Sequence, residues 1–133
     1  MRSARQAILT RIEDVEPLAR EFCQLSQVKA VLLFGSHARG QPNALSDIDL
    51  CVLGPLGEPE RTEILAHSSD NLHISFFRDL PISIRFRVIQ EGRPLAVTNR
   101  DYFEEETSKT IQEYLDFKPV LDHYAREVLR VQR

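Results

Sequence analysis

The sequence predicts an α/β domain, and two observations lead to that prediction. Three short apolar runs, rich in β-branched and aromatic residues, have the length and character of buried strands; they cover residues 28–34, 47–53 and 72–77. Segments with apolar residues at three- and four-residue spacing precede and follow these runs, as amphipathic helices do. Because helical and strand-like segments alternate along the chain, the pattern favours an α/β architecture.

Length and charge limit the function classes. A chain of 133 residues fits one domain, so we predict a single domain over 1–133. A formal charge of −3 gives no general attraction to nucleic acid, and direct nucleic-acid binding is not expected. No apolar stretch reaches the roughly 20 residues of a membrane span. Cys23 and Cys51 lie among apolar residues, which predicts buried thiols rather than a disulfide and a cytoplasmic location.

Three helical segments are predicted before residue 92. The first covers residues 3–25, where Pro17 either kinks the helix or starts a second one. The second, residues 58–67, is a short helix or a loop. The third, residues 82–91, lies between a proline that suits the first turn and a glycine that suits the stop.

The C-terminal third predicts a short strand and then a long helix. Residues 94–98 form the strand, and Asn99 or Asp101 can cap the helix that follows. Pro119 must kink or divide this helix. A seam of tyrosine and phenylalanine over residues 114–124 is expected in the core, with an interface as the alternative.

A compact motif in the middle of the chain carries the functional signal. Gly35-Ser36 ends the first apolar run, and ten residues separate Ser36 from Asp47. Glycine permits close backbone approach, and N–H groups at the start of a following helix suit phosphate. Asp47 and Asp49 are two residues apart on a strand, so their carboxylates share a face and repel each other. A divalent cation resolves that repulsion, and Mg²⁺ favours carboxylates together with substrate phosphates.

The loop after Gly35 offers further polar groups. Arg39 can face a triphosphate or be an exposed loop residue. Ser36 can bind a phosphate or cap the following helix. His37 is expected to be solvated.

The spacing of Gly35-Ser36 and Asp47-Ile48-Asp49 resembles the signature of the DNA polymerase β-like nucleotidyltransferase superfamily. Within it, the chain is similar to the minimal nucleotidyltransferases, or MNT proteins, also over residues 71–92 and 113–119. These are typically encoded beside a HEPN-domain ribonuclease, for which they act as antitoxin. The resemblance implies the nucleotidyltransferase fold, with a mixed β-sheet packed with helices and the site at the sheet edge.

The resemblance also implies roles. Asp47 and Asp49 would be catalytic and bind Mg²⁺, while Gly35, Ser36 and Arg39 would bind the nucleotide. ATP would donate AMP to a tyrosine hydroxyl of a HEPN toxin. The alternatives are an impaired antitoxin that acts by binding alone and a nucleotidyltransferase for small molecules, which usually carries a further substrate-binding domain.

One position departs from the family pattern, which places a third carboxylate on the strand 72–77. That position holds His73, whose alternate neighbours face the other way, so His73 and Ser75 share a face. We expect this face to lie near Asp47 and Asp49.

Three interpretations of His73 stay open. The imidazole can serve as base or ligand in place of the carboxylate. Alternatively, the histidine stands where the catalytic base has been lost, in a protein that still binds metal or nucleotide. It can also be structural, with the carboxylate supplied by Asp70 before the strand or Asp79 after it.

Overall fold

The computed structural model describes residues 9–35, 38 and 47–131, and these ranges form a single sheet with helices on both faces. This confirms the predicted α/β class. In chain order the elements are a 3₁₀ turn Ile12–Asp14, α1 Val15–Phe22, β1 Ala30–Phe34, β2 Ile48–Leu53, α2 Glu58–Leu65, β3 Leu72–Phe76, a 3₁₀ turn Phe77–Asp79, α3 Ile82–Glu91, β4 Arg93–Val97 and α4 Arg100–Val131.

The sheet has the strand order β3-β2-β1-β4. β1 pairs antiparallel with both β2 and β4, whereas β2 and β3 are parallel, so the sheet is mixed as the resemblance implied. β1 and β2 occupy the centre and are buried over most of their length. Burial on both faces explains why these two strands are continuously apolar rather than alternating.

Two hydrophobic clusters separate the faces of the sheet. On one face, side chains of α1 and α2 pack on the sheet. On the other, side chains of α3 and the start of α4 do so. The buried members of the first cluster include Val15, Ala19, Phe22, Val31, Leu33, Leu50, Val52 and Ile64. Those of the second are Ala30, Leu32, Cys51, Leu53, Phe77 and Val88.

The prediction of one helix over residues 3–25 is wrong for the described part of that segment. α1 begins only at Val15, after a 3₁₀ turn, and ends at Phe22. Proline has no N–H and is tolerated in the first turn of a helix, where no partner is needed. Pro17 therefore stands two residues after the start of α1, as the alternative of a second helix predicted. Residues 1–8 lie outside the described residues.

The other boundaries agree closely with prediction. α3 covers residues 82–91 as expected, and the segment after Gly57 is a helix rather than a loop. Asn99 caps α4, because its Oδ1 accepts a hydrogen bond from the Tyr102 N–H at 2.9 Å. β3 ends at Phe76, one residue before the predicted end, and β4 runs one residue ahead of its predicted range.

α4 differs from expectation in its second half. Pro119 does not divide it, since the helix is continuous from Arg100 to Val131. Tyr114 stacks on Phe86 with 3.9 Å between ring centroids. Beyond that contact, Phe117 is 41% exposed and Tyr124 is 71% exposed, so the core prediction for this seam is wrong past Tyr114.

Both cysteines are free thiols, as predicted. Cys51 is buried in the sheet, and burial raises the pKa of its thiol to about 12. Burial also raises the pKa of the Cys23 thiol. Within the described ranges, no helix combines the length and hydropathy that crossing a membrane requires.

Candidate functional site

The described members of the predicted site, Gly35, Asp47, Asp49 and His73, meet at one end of the sheet. β1 finishes there and β2 and β3 begin there, because β2 runs antiparallel to β1 and parallel to β3. Gly35 directly follows β1, and Asp47 directly precedes β2. The register pairs Asp49 with Phe34 on one side and with His73 on the other.

Gly35 and Asp49 approach each other more closely than any other residue type at position 35 would allow. Gly35 has a φ of +79°, a conformation that L residues rarely adopt. A Cβ atom at this position would lie 2.5 Å from Oδ2 of Asp49. The missing side chain therefore makes room for the Asp49 carboxylate.

His73 lies beside the two aspartates, as its place on the strand predicted. Its Nε2 is 3.6 Å from Oδ2 of Asp47. That separation is too long for a hydrogen bond but short enough for attraction to a protonated imidazole. The side chains of His73 and Asp47 are 53% and 71% exposed, so solvent and a ligand reach both. Asp49 is half-buried.

Asp47 and Asp49 suit a cation that is shared with substrate phosphates better than one that is bound by protein side chains alone. Among the residues that the structure describes, no group of three His, Cys, Asp or Glu side chains is placed to hold a metal ion. Mg²⁺ usually binds one or two carboxylates and completes its shell with water and substrate phosphates. Asp47 and Asp49, exposed and half-buried at the sheet end, fit that pattern. A protonated His73 would oppose it by charge repulsion.

Asp79 cannot replace the missing carboxylate. It follows β3 at the opposite end of that strand from His73 and accepts hydrogen bonds from Arg61 at 2.5 and 3.3 Å. Arg61 in turn lies over the Phe76 ring, 4.8 Å from its centroid. The hydrogen bond with Asp79 raises the pKa of the Arg61 guanidinium. Asp70 lies three residues before His73 and outside the strand. Among the described residues, it belongs to no group of three potential metal ligands.

Sequence reasoning missed one cation near this end of the sheet. Arg93 opens β4 and pairs with Leu33, the residue before Phe34. Because Leu33 and Phe34 point to opposite faces, Arg93 lies on the other face of the sheet from Asp49. Nothing local signals this position, since only the pairing of β4 with β1 brings Arg93 there.

Three predicted residues of the loop, Ser36, His37 and Arg39, lie outside the described residues. Binding of phosphate by Ser36 and Arg39 stays a prediction.

Comparison with known proteins supplies the family. A family model described as "Nucleotidyltransferase domain" matches residues 15–123. A candidate protein adenylyltransferase of Methanocaldococcus jannaschii is 33% identical over 69 residues, which is 52% of this chain and 56% of that protein. The match thus spans little more than half the length of that relative.

Two solved structures share the fold. A chain of a toxin–antitoxin complex with AMP-PNP superposes with a TM-score of 0.70 at 22% identity, covering 86% of this chain and 98% of that one. A chain from the complex of a tri-AMPylated HEPN toxin of Shewanella oneidensis with an MNT antitoxin gives 0.63 at 20% identity, covering 88% and 94%. At these identities the likeness establishes the fold alone. The match over residues 15–123, most of the sequence, shows that this chain belongs to the nucleotidyltransferase domain family.

Proposed function

We propose that this protein is an MNT-type antitoxin that transfers AMP from ATP to a tyrosine hydroxyl of a HEPN ribonuclease toxin. Membership of the nucleotidyltransferase domain family supports the reaction class. The fold shared with chains of toxin–antitoxin complexes supports the biological role. The observation that carries the proposal is the approach of Gly35 to Asp49, with Asp47 and His73 at the same end of the sheet.

Asp47 and Asp49 would hold Mg²⁺ in this proposal. When bound, the ion supplies positive charge to the triphosphate and polarises the α-phosphate. Gly35 leaves space for the Asp49 carboxylate, and its lack of a side chain would allow the backbone to approach the phosphates. Ser36 and Arg39 would bind the phosphates from the following loop. Positioning and charge stabilisation are the main contributions of such a site.

The reaction exchanges one bond to phosphorus for another. The acceptor oxygen forms a bond to the α-phosphorus, and the bond from that phosphorus to the bridging oxygen breaks. Pyrophosphate leaves with the electron pair, and the hydroxyl proton passes to a base. In its neutral form His73 can accept that proton, and it is half-exposed beside Asp47.

Position 73 also supports a second candidate, an antitoxin that acts by binding alone. A histidine brings no negative charge to the site, and its protonated form opposes the cation that Asp47 and Asp49 would share. On this view the protein neutralises its partner by covering it, with transfer weak or absent.

Transfer of labelled AMP from ATP to the purified partner separates the two candidates. We compare wild type with His73→Asp and His73→Ala between about pH 6 and 9. Because a carboxylate adds charge for the metal and accepts a proton, we expect His73→Asp to label the partner more strongly than wild type. Wild-type labelling that depends on pH and vanishes in His73→Ala would make His73 the base. Absence of labelling by every variant, with the complex intact, would favour binding alone.

Calorimetry with Mg²⁺-ATP tests the metal site independently of the partner. We expect Asp47→Asn and Asp49→Asn each to weaken nucleotide binding at least tenfold, because each removes a charged ligand. Asp101→Asn is the matched control, since it removes an exposed carboxylate at the start of α4, which follows the far end of β4. Equal affinity in all four proteins would refute the assignment.

We further propose that residues 1–133 act as one domain and that the protein works in the cytoplasm. Free thiols at Cys23 and Cys51 support a reducing compartment.

A further inference from the structure

α4 is longer than the domain needs. Its first half packs on the sheet and on α3: Phe103 joins the second cluster, Thr110 is buried and Tyr114 stacks on Phe86. Glu113 accepts hydrogen bonds from Arg85 at 3.2 and 3.3 Å. After Tyr114, none of the described side chains of α4 is buried. Residues 115–131 thus continue for about 25 Å as a helix that buries none of its described side chains against the rest of the described structure.

The unpartnered half of α4 keeps an apolar face. Phe117, Leu121, Tyr124 and Val128 follow Tyr114 at alternating three- and four-residue spacing, so they continue the side of the helix that the domain buries. The exposed large side chains of this face and their exposed fractions are Phe117 41%, Val120 57%, Tyr124 71%, Val128 38% and Leu129 65%. Together they expose several hundred Å² of apolar surface, which monomeric proteins rarely leave in water.

Charge excludes two classes of occupant. The charged groups of the segment pair along the helix: Lys118 with Asp122 at 3.1 Å, and Arg130 with Glu127. Three acidic and three basic side chains balance over residues 115–131. Nucleic acid and anionic membranes both attract segments in which Lys and Arg outnumber Asp and Glu. In this segment the basic and acidic residues are equal in number.

The shape of the face favours a heterologous helical partner over a second copy. Helices that pair with their own copy use charges beside the apolar seam to set register. Of the four positions beside the seam here, Val120 and Ala125 carry no charge. The other two, Lys118 and Glu127, are each paired with a neighbour on their own helix, and Leu129 widens the apolar face further. The arc from Val120 round to Leu129 is apolar except for Lys118 near one edge. It covers about half the helix circumference, which is broader than the seam that one neighbouring helix covers. It suits a groove between two helices.

We propose that residues 115–131 of α4 dock into an apolar groove between two helices of the toxin. The identity of the partner rests on the proposed function. An exposed apolar surface of several hundred Å² is a substantial part of the roughly 800 Å² that each side contributes to a stable complex. The segment holds none of the residues assigned to AMP transfer, so docking and chemistry are separable.

Paired double variants of the full-length protein test this docking. Val120→Glu/Tyr124→Glu adds two acids to the apolar face at two of its most exposed positions. His123→Glu/Arg126→Gln makes the same change in charge on the opposite side of the helix. Each protein is titrated into the purified toxin by calorimetry, and urea denaturation checks its fold. If Val120→Glu/Tyr124→Glu is less stable, Val120→Ser/Tyr124→Ser replaces it.

We expect the apolar-face variant to bind the toxin at least 100-fold more weakly and the control to bind like wild type. With toxin in excess, the apolar-face variant should still transfer AMP if wild type does. Equal affinity of the two double variants would overturn the docking site and leave the proposed function intact. A wild-type protein that dimerises alone, and whose dimer only the apolar-face variant breaks, would identify a second copy as the occupant instead. Failure of wild type to bind the toxin would overturn the proposed function along with this inference.

Discussion

Replacing Gly35 by alanine tests whether the close approach to Asp49 organises the site. The change places a Cβ atom 2.5 Å from Oδ2 of Asp49, and real Cβ contacts below 3.0 Å are essentially unknown. The Asp49 carboxylate must therefore move by about half an ångström. Its displacement affects both the stability of the fold and the binding of nucleotide.

The cost has two parts. An L residue in the left-handed region loses about 1–2 kcal/mol, and an off-rotamer side chain costs about 0.5–1.5 kcal/mol. We expect Gly35→Ala to lower the free energy of unfolding by about 2–3 kcal/mol, which most domains survive. Because the displaced carboxylate no longer suits the cation, we expect the Kd for Mg²⁺-ATP to rise at least tenfold.

Urea denaturation and calorimetry measure the two effects on the same samples. Gly57→Ala is the matched control, because Gly57 has an ordinary φ of −88°. Its Cβ would meet the end of the Glu60 side chain at 3.1 Å and Cδ of Pro59 at an ordinary contact distance of 3.7 Å. The control should lose less than about 1 kcal/mol and bind nucleotide normally. If Gly35→Ala matches the control in both measurements, the approach of Gly35 to Asp49 does not organise the site.

Three further predictions concern the cap of α4, a buried thiol in β2 and an ion pair beside β3. Asn99→Ala removes the cap of α4 and should lower the free energy of unfolding by about 1 kcal/mol in urea; an unchanged midpoint would argue against the cap. Burial raises the Cys51 pKa from 9.0 to about 12, so its thiolate is scarce in the folded protein below pH 12 but forms near pH 9 once the chain unfolds. Iodoacetamide at pH 9 should accordingly label Cys51 only in denaturant, and rapid labelling of the folded protein would contradict its burial. Arg61→Ala removes both the Asp79 pair and the contact with the Phe76 ring, and should cost about 1 kcal/mol; Arg61→Lys should recover part of this, and full stability in Arg61→Ala would show that the pair contributes nothing.

Much of the architecture could be predicted from the sequence because local signals and burial agree. β1 and β2 are central strands, and burial on both faces leaves a continuous apolar run that is visible in the chain. α3 begins directly after Pro81 and ends directly before Gly92, as these two residues predicted. α1 shows the limit, since apolar spacing continues before Val15 while the backbone there is a 3₁₀ turn. The spacing of apolar residues tells which side would be buried but does not mark where the helix begins.

The site divides in the same way. Local sequence alone predicted that Asp47 and Asp49 share a face at the start of a strand and that a glycine precedes them by a short loop. Only the tertiary structure decided that Asp49 lies between Phe34 and His73, because strand pairing joins residues far apart in the chain. The exposed second half of α4 was likewise beyond local reasoning. Its apolar face has the same period as a buried one, and only the end of the domain at Tyr114 leaves that face in solvent.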